Sequence, residues 1–185
     1  MSKKLLVKIA NVVATASLNQ RLDIDSILRF SQSAEYRPAL FPGLVYRLKR
    51  PKTATLIFSV GKMICTGARS EEQAKRAILK VIQELKENGV FIVETPEVQI
   101  VNIVASIDLG GRIDLEASVK SLEKIMYEPE QFPGLIYRMP VPKVVILVFA
   151  SGKLVCTGAK KEGDVFESVA KLHQELEDKE LIFYD

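Results

Sequence analysis

Certain side chains recur in this chain at one fixed interval, and each kind has a definite chemistry. Asn11 and Asn102 stand 91 residues apart and offer amide donors. Phe41 and Phe58 lie 17 positions apart, and Phe132 and Phe149 repeat the pair at the same 91-residue offset. Arg47 and Lys62 recur as Arg138 and Lys153, and Thr66 recurs as Thr157. Amides and hydroxyls exchange hydrogen bonds, rings stack or wedge, and cations attract polyanions; none of this needs covalent chemistry. Residues for bond-making are scarce. The chain has one histidine, His173, which occupies an apolar helix position and reads as structural. Its two cysteines, Cys65 and Cys156, cannot build a disulfide framework, and with a single histidine they give no zinc site of the usual kind. No nucleophile–base pair stands out. The glycines of GLVYR, of TGA and at 110–111 read as turn glycines, without a phosphate-binding GxGxxG or GxxxxGK(S/T) arrangement. The expectation is no enzyme, no metal and no cofactor.

Composition agrees with a folded, water-facing protein. Of 185 residues 48% are hydrophobic and 26% charged, too apolar for disorder, and no run approaches the roughly 18 apolar residues of a membrane span. The N-terminal MSKKLLVKIANVVATA lacks the apolar length and cleavage site of a signal peptide, and the thiols read as reduced ones in an intracellular protein. The net charge of +3 hides an asymmetry. Residues 1–91 carry 16 Lys+Arg against 7 Asp+Glu, a balance of +9; residues 92–185 carry 10 against 16, a balance of −6. A basic half fits a polyanion and an acidic half fits a protein partner.

The interval is that of a tandem repeat. Shifted by 91 residues the chain aligns with itself without a gap, and about 31 of the 80 pairs between Val7–Lys86 and Val98–Glu177 are identical. VKIANVVA falls on VQIVNIVA, FPGLVYR on FPGLIYR, and GKMICTGA on GKLVCTGA. Two units are too few for a solenoid. They read as two repeats, residues 1–95 and 96–185, of one intertwined pseudo-two-fold body. Such a body suits a partner with its own approximate dyad, as a DNA duplex has.

Each repeat predicts the same elements: a strand (about 4–15 and 97–106), a short helix (about 22–30 and 113–121) and a three-strand meander with Pro and Gly at its corners. An amphipathic helix follows at about 71–87 and 162–178, with Ala74, Ile78, Val81, Ile82 and Leu85 on one face and Val165, Val169, Leu172, His173 and Leu176 repeating them. A short closing strand is expected at 91–95 and at 181–185. The fold class is α+β, an antiparallel sheet with helices on one side.

Such a sheet should alternate apolar and polar residues, and these strands do not. VVILVFA is apolar on both parities. One face belongs to the helices, so the other needs a partner: a second sheet, for which too few strands remain, a dimer interface, or an apolar ligand surface of unusual extent. Parity says which face is free. Asn11, Val13 and Thr15 share a side, as do Asn102, Val104 and Ser106. Lys62, Ile64 and Thr66 lie opposite Met63 and Cys65, and Phe41, Val45 and Arg47 are in phase. Lysine and arginine do not point into a helix-covered core, so the side with Lys62 and Arg47 is the free one. Apolar residues in its middle, lone asparagines and marginal cations match the floor, the degenerate acceptors and the phosphate walls of a DNA minor groove. A homodimer burying the same face is the competing reading. An enzyme using it as a lipid or acyl pocket lacks catalytic side chains there.

The duplicated FPGL(V/I)YR…PK…F…GK…TGA pattern resembles the TATA-box-binding protein family over essentially the whole chain. With no long extension before the core, it resembles archaeal members more than eukaryotic ones. The resemblance implies a saddle-shaped, curved antiparallel sheet of two pseudo-symmetric repeats, with helices on its convex face. It implies a general transcription initiation factor that bends promoter DNA from the minor groove. In that family Phe41 with Phe58 and Phe132 with Phe149 would be the wedges that open a base step. Asn11 and Asn102 would donate to thymine O2 or adenine N3. Val13, Val104, Leu56, Leu147, Ile64, Val155, Thr66 and Thr157 would touch the groove floor. Arg47, Arg138, Lys62 and Lys153 would meet phosphates. Glu128 and Glu130, beside Gln131-Phe132, would contact transcription factor B, which brings RNA polymerase. The implied location is cytoplasmic, at an archaeal nucleoid, or nuclear in a eukaryote, with a possible homodimer off DNA.

Overall fold

Side-chain alternation and helix caps decide where each element of this computed structural model begins and ends; it describes residues 5–185. In chain order the elements are β1 (Leu6–Ser17), α1 (Ile24–Phe30), β2 (Leu44–Lys49), β3 (Lys52–Ile57), β4 (Lys62–Ala68) and α2 (Glu71–Glu87). They are followed by β5 (Gln99–Asp108), β6 (Arg112–Ile113), α3 (Leu115–Ser121), β7 (Ile125–Met126), β8 (Leu135–Met139), β9 (Val144–Val148), β10 (Lys153–Ala159), α4 (Glu162–Asp178) and β11 (Ile182–Phe183). The chain divides into two compact units: Asn11–Val101, and Asn102–Asp185 together with the described residues up to Ala10.

In the first unit the antiparallel strands lie in the order β2-β3-β4-β1. The meander keeps strict register, with Val45 opposite Leu56 and Leu56 opposite Ile64. Helix α1 starts where Asp23 accepts from the Asp25 and Ser26 amides, and α2 where Ser70 accepts from the Gln73 amide. The α2 stripe of Ala74, Ala77, Ile78, Val81, Ile82 and Leu85 is buried, against a sheet face of Val12, Ala14, Leu44, Tyr46, Ile57, Met63 and Cys65. Full burial of each large apolar side chain is worth about 1.5–3 kcal/mol, which is what holds helix to sheet.

In the second unit the order is β5-β10-β9-β8-β7, with β6 and β11 forming a separate two-stranded ribbon. Asp114 caps α3 by accepting from the Ala117 amide, while Lys161 gives α4 no side-chain cap. Here α4 buries Val165, Ser168, Val169, Leu172 and Leu176.

Three sequence expectations need correction. The closing strand forms only in the second unit, where Ile182 and Phe183 pair with Ile113 and Arg112. In the first unit the Gln20 side chain takes over that pairing: its Nε2 donates to the Phe91 carbonyl at 2.6 Å and its Oε1 accepts from the Val93 amide at 2.9 Å. The position equivalent to Gln20 is Gly111, which has no side-chain amide to offer. The glycines of the TGA motif are not in turns: Gly67 and Gly158 lie within β4 and β10 with φ of +98° and +96°. Finally, β1 starts at Leu6; of the residues expected to open it, position 4 lies outside the described ones. Among the described residues no helix is long and apolar enough to cross a membrane.

Candidate nucleic-acid interface

Each sheet presents its helix-free face through one parity of every strand. In the first unit Asn11, Val13, Thr15, Val45, Leu56, Ile64 and Thr66 are half-buried while their neighbours Val12, Ala14, Leu44, Ile57, Met63 and Cys65 are fully buried. Register sets Thr15, Ile64, Leu56 and Val45 side by side in one row across four strands. The second unit repeats the row as Ser106, Val155, Leu147 and Ile136. Val104, Asn102 and Thr157 occupy the same parity there. The two cysteines are on the helix side, where burial pushes both thiols up and leaves them as neutral packing groups.

The phenylalanines meet in pairs at one end of each meander. Phe41 and Phe58 have ring centroids 5.8 Å apart at 66°, and Phe132 and Phe149 are 5.8 Å apart at 69°, both edge-to-face. Phe41 keeps 40% of its surface exposed and Phe132 36%, while Phe58 and Phe149 are half-buried. The loop before each pair turns on one carbonyl: Arg37 accepts from the Phe41 amide and Glu128 from the Phe132 amide, both at 3.0 Å. Glu128 and Glu130 are exposed on the second of these loops.

The asparagines sit at partly exposed strand positions, each with two partners. Asn11 Oδ1 accepts from the Gly67 amide at 2.7 Å and its Nδ2 donates to Thr66 Oγ1 at 3.0 Å. Asn102 does the same with Gly158 at 2.7 Å and Thr157 at 3.4 Å. The cations Arg47, Arg138, Lys62 and Lys153 are all exposed. Arg47 lies 3.5 Å from the Glu35 carboxylate.

Sequence reasoning missed further cations around these. Lys49, Arg50, Lys52 and Lys80 line with Arg47 an open cavity of about 990 Å³, and Lys124, Lys143 and Lys160 line with Arg138 one of about 550 Å³. Lys52 and Lys143 are identical at the repeat offset, which was the available signal. His173 has a structural role: its Nε2 is 2.7 Å from Tyr184 Oη and 3.1 Å from Glu177 Oε1.

A model of the family described as transcription factor TFIID (or TATA-binding protein, TBP) matches residues 6–88 and again 97–179. The chain belongs to this family. The TATA-box-binding protein of Pyrobaculum neutrophilum is 51% identical over 178 residues, covering 96% of this chain and 90% of that protein. That of Archaeoglobus fulgidus is 47% identical over 172 residues, covering 92% and 94%. Among solved structures, Methanococcus jannaschii TBP superimposes with a TM-score of 0.83 at 46% identity, covering 93% of this chain and 98% of that one. A TATA-binding protein family member is a transcription factor and not an enzyme, and the repeat seen at 91 residues is the family's own duplication.

Proposed function

We propose that this chain is a general transcription initiation factor that binds A·T-rich TATA-box promoter DNA in the minor groove. Its relatives are named TATA-box-binding protein, and the free sheet faces have chemistry that matches a minor groove. The repeats 1–95 and 96–185 act as one body on the duplex. One observation carries the reading: in both units an edge-to-face phenylalanine pair, one ring exposed and one half-buried, stands on the same face as an asparagine donor and a row of apolar residues. A ring inserted at a base step replaces lost stacking, offsetting an unstacking cost of about a few kcal/mol per step. Asn11 and Asn102 donate to acceptors that A·T and T·A pairs share, while Val13, Val104, Leu56, Leu147, Ile64, Val155, Thr66 and Thr157 leave no room or partner for the guanine amine. Arg47, Arg138, Lys62 and Lys153 neutralise phosphates. Glu128 and Glu130, exposed beside the Phe132 wedge, offer transcription factor B an acidic contact, through which RNA polymerase follows.

The test is energy transfer across an end-labelled duplex holding an A·T-rich octamer, titrated with wild type and with Phe41→Ala/Phe132→Ala, beside a G·C-rich control. Shortening of the end-to-end distance on the A·T site alone, lost in the variant, is the expected result. Binding without bending would make the phenylalanines packing residues, and absence of binding at every salt concentration would assign the apolar face to a protein partner.

A further inference from the structure

We infer that the strand bulges at Gly67 and Gly158 fix which way round the two asparagine amides read DNA, and thereby set the base preference at the pairs they touch. The inference rests on the minor-groove reading proposed above and goes one residue deeper. In the β1–β4 ladder Val12 faces Ala68 and Ala14 faces Cys65, so Val13 alone stands against both Thr66 and Gly67. In the β5–β10 ladder Ile103 faces Ala159 and Ala105 faces Cys156, so Val104 stands against Thr157 and Gly158. The extra residue is a bulge, and its positive φ admits glycine and strains any other residue. A bulged residue drops out of the ladder, and in both units its N–H turns to the asparagine Oδ1 at 2.7 Å.

A backbone N–H can only donate, so the amide oxygen must be the atom that meets it. The nitrogen is thereby forced to the opposite side. One of its hydrogens goes to the threonine hydroxyl. The other is turned toward the free face, while the threonine hydroxyl lies 3.4 Å from the asparagine Oδ1 in both units, where it can donate back. Each asparagine amide therefore shows the groove a donor and no acceptor. A·T pairs show only acceptors in the minor groove, whereas G·C pairs add the guanine N2 donor. A flipped amide would present an acceptor to guanine, but it would set NH₂ against N–H at 2.7 Å. The bulge glycine is thus a positioning residue for specificity, without touching DNA itself.

Substitution of Asn11 and Asn102 by Asp tests this, because a carboxylate keeps one oxygen on the glycine N–H and turns a second oxygen, an acceptor, to the groove. Affinity is measured for an A·T octamer and for octamers with one G·C pair placed at each step in turn. The added charge weakens every duplex alike, so the readout is the ratio. We expect the A·T over G·C preference at one or two steps to fall at least about tenfold in Asn11→Asp/Asn102→Asp, the factor one hydrogen-bond mismatch of about 1.4 kcal/mol gives. Asn11→Ala/Asn102→Ala should lose affinity with a smaller change of ratio, and Thr66→Ser should keep the wild-type ratio where Thr66→Val does not. Amide hydrogen exchange on the DNA-free protein supplies the second arm: Gly67 and Gly158 should be protected in wild type and in the Asp variant, and exchange faster in the Ala variant. An unchanged ratio in the Asp variant, with wild-type preference intact, overturns the inference alone. Glycine amides indifferent to Asn→Ala overturn it as well. A wild type without A·T preference overturns the minor-groove reading, and the base-preference claim falls with it.

Discussion

Under each phenylalanine pair lies a buried glycine. A Cβ built on Gly43 would come within 2.7 Å of the Phe41 ring and 3.1 Å of Phe58; on Gly134 it would come within 2.7 Å of Phe132 and 3.0 Å of Phe149. Neither glycine has a positive φ, so the backbone tolerates substitution and the rings must give way. Gly134→Val should therefore turn the Phe132 ring out of its edge-to-face contact, worth about 0.5–1.5 kcal/mol, and misplace the wedge. The expected result is a smaller end-to-end shortening in the energy-transfer assay, with the DNA-free melting temperature reduced only slightly. A wild-type bend in this variant would show that the rings can be repositioned by DNA itself. At this scale the sequence marked the candidate side chains, because duplication sets Phe41, Phe58, Asn11 and Thr66 in pairs. It was silent about what holds them: a bulge is a property of strand register, and Gly67 looks in the sequence like any turn glycine.

Tyrosines hold helix to sheet in both units. Tyr46 of β2 donates to Glu84 of α2 at 3.3 Å, and Tyr137 of β8 donates to Glu175 of α4 at 3.2 Å. Burial first, and then the carboxylate charge, pushes each phenol up to about 12 from 10.0. An unfolded chain releases these protons near 10, so between there and 12 the folded state holds more protons. Stability contributed by the pair is fully present below pH 10 and is lost as pH rises through 12. Melting temperature measured from pH 8 to pH 12 should fall over that interval, and Tyr46→Phe/Tyr137→Phe should flatten the fall after an initial loss of about 1 kcal/mol per hydrogen bond at neutral pH. Identical slopes would mean the phenols do not report on helix docking. The helices themselves were legible because their apolar stripes repeat with helical period over seventeen residues. The free face was legible from parity, since Arg47 and Lys62 cannot face a covered core. The strands β6 and β7 were not: two residues carry no periodicity, and the missing counterpart of β11 depends on one side chain, Gln20, far away in sequence.

Across the whole chain, charge sets how binding depends on salt. Residues 1–91 and 92–185 differ by +9 against −6, yet the four cations assigned to phosphates come equally from both, Arg47 and Lys62 matched by Arg138 and Lys153. The excess sits elsewhere: Lys49 and Arg50 at the β2–β3 corner are Pro140 and Val141 in the second repeat. The symmetric set is further unbalanced by Glu35, 3.5 Å from Arg47, because the equivalent position is Met126. Each phosphate neutralised on B-DNA contributes about 0.9 to the slope of log affinity against log salt. Replacing all four cations by alanine should thus lower the slope by up to about 3.6, the value four fully engaged cations would give, while Val13→Ala should change affinity at every salt concentration and leave the slope alone. The single variants should separate the halves. Arg138→Ala should remove close to a full phosphate's worth, and Arg47→Ala less, because Arg47 must leave an existing carboxylate to reach a phosphate; Glu35→Gln should erase that difference. Slopes unchanged by the fourfold variant would reduce these residues to solvated rim charges and move the electrostatic footprint to Lys49, Arg50 and the cations beside them.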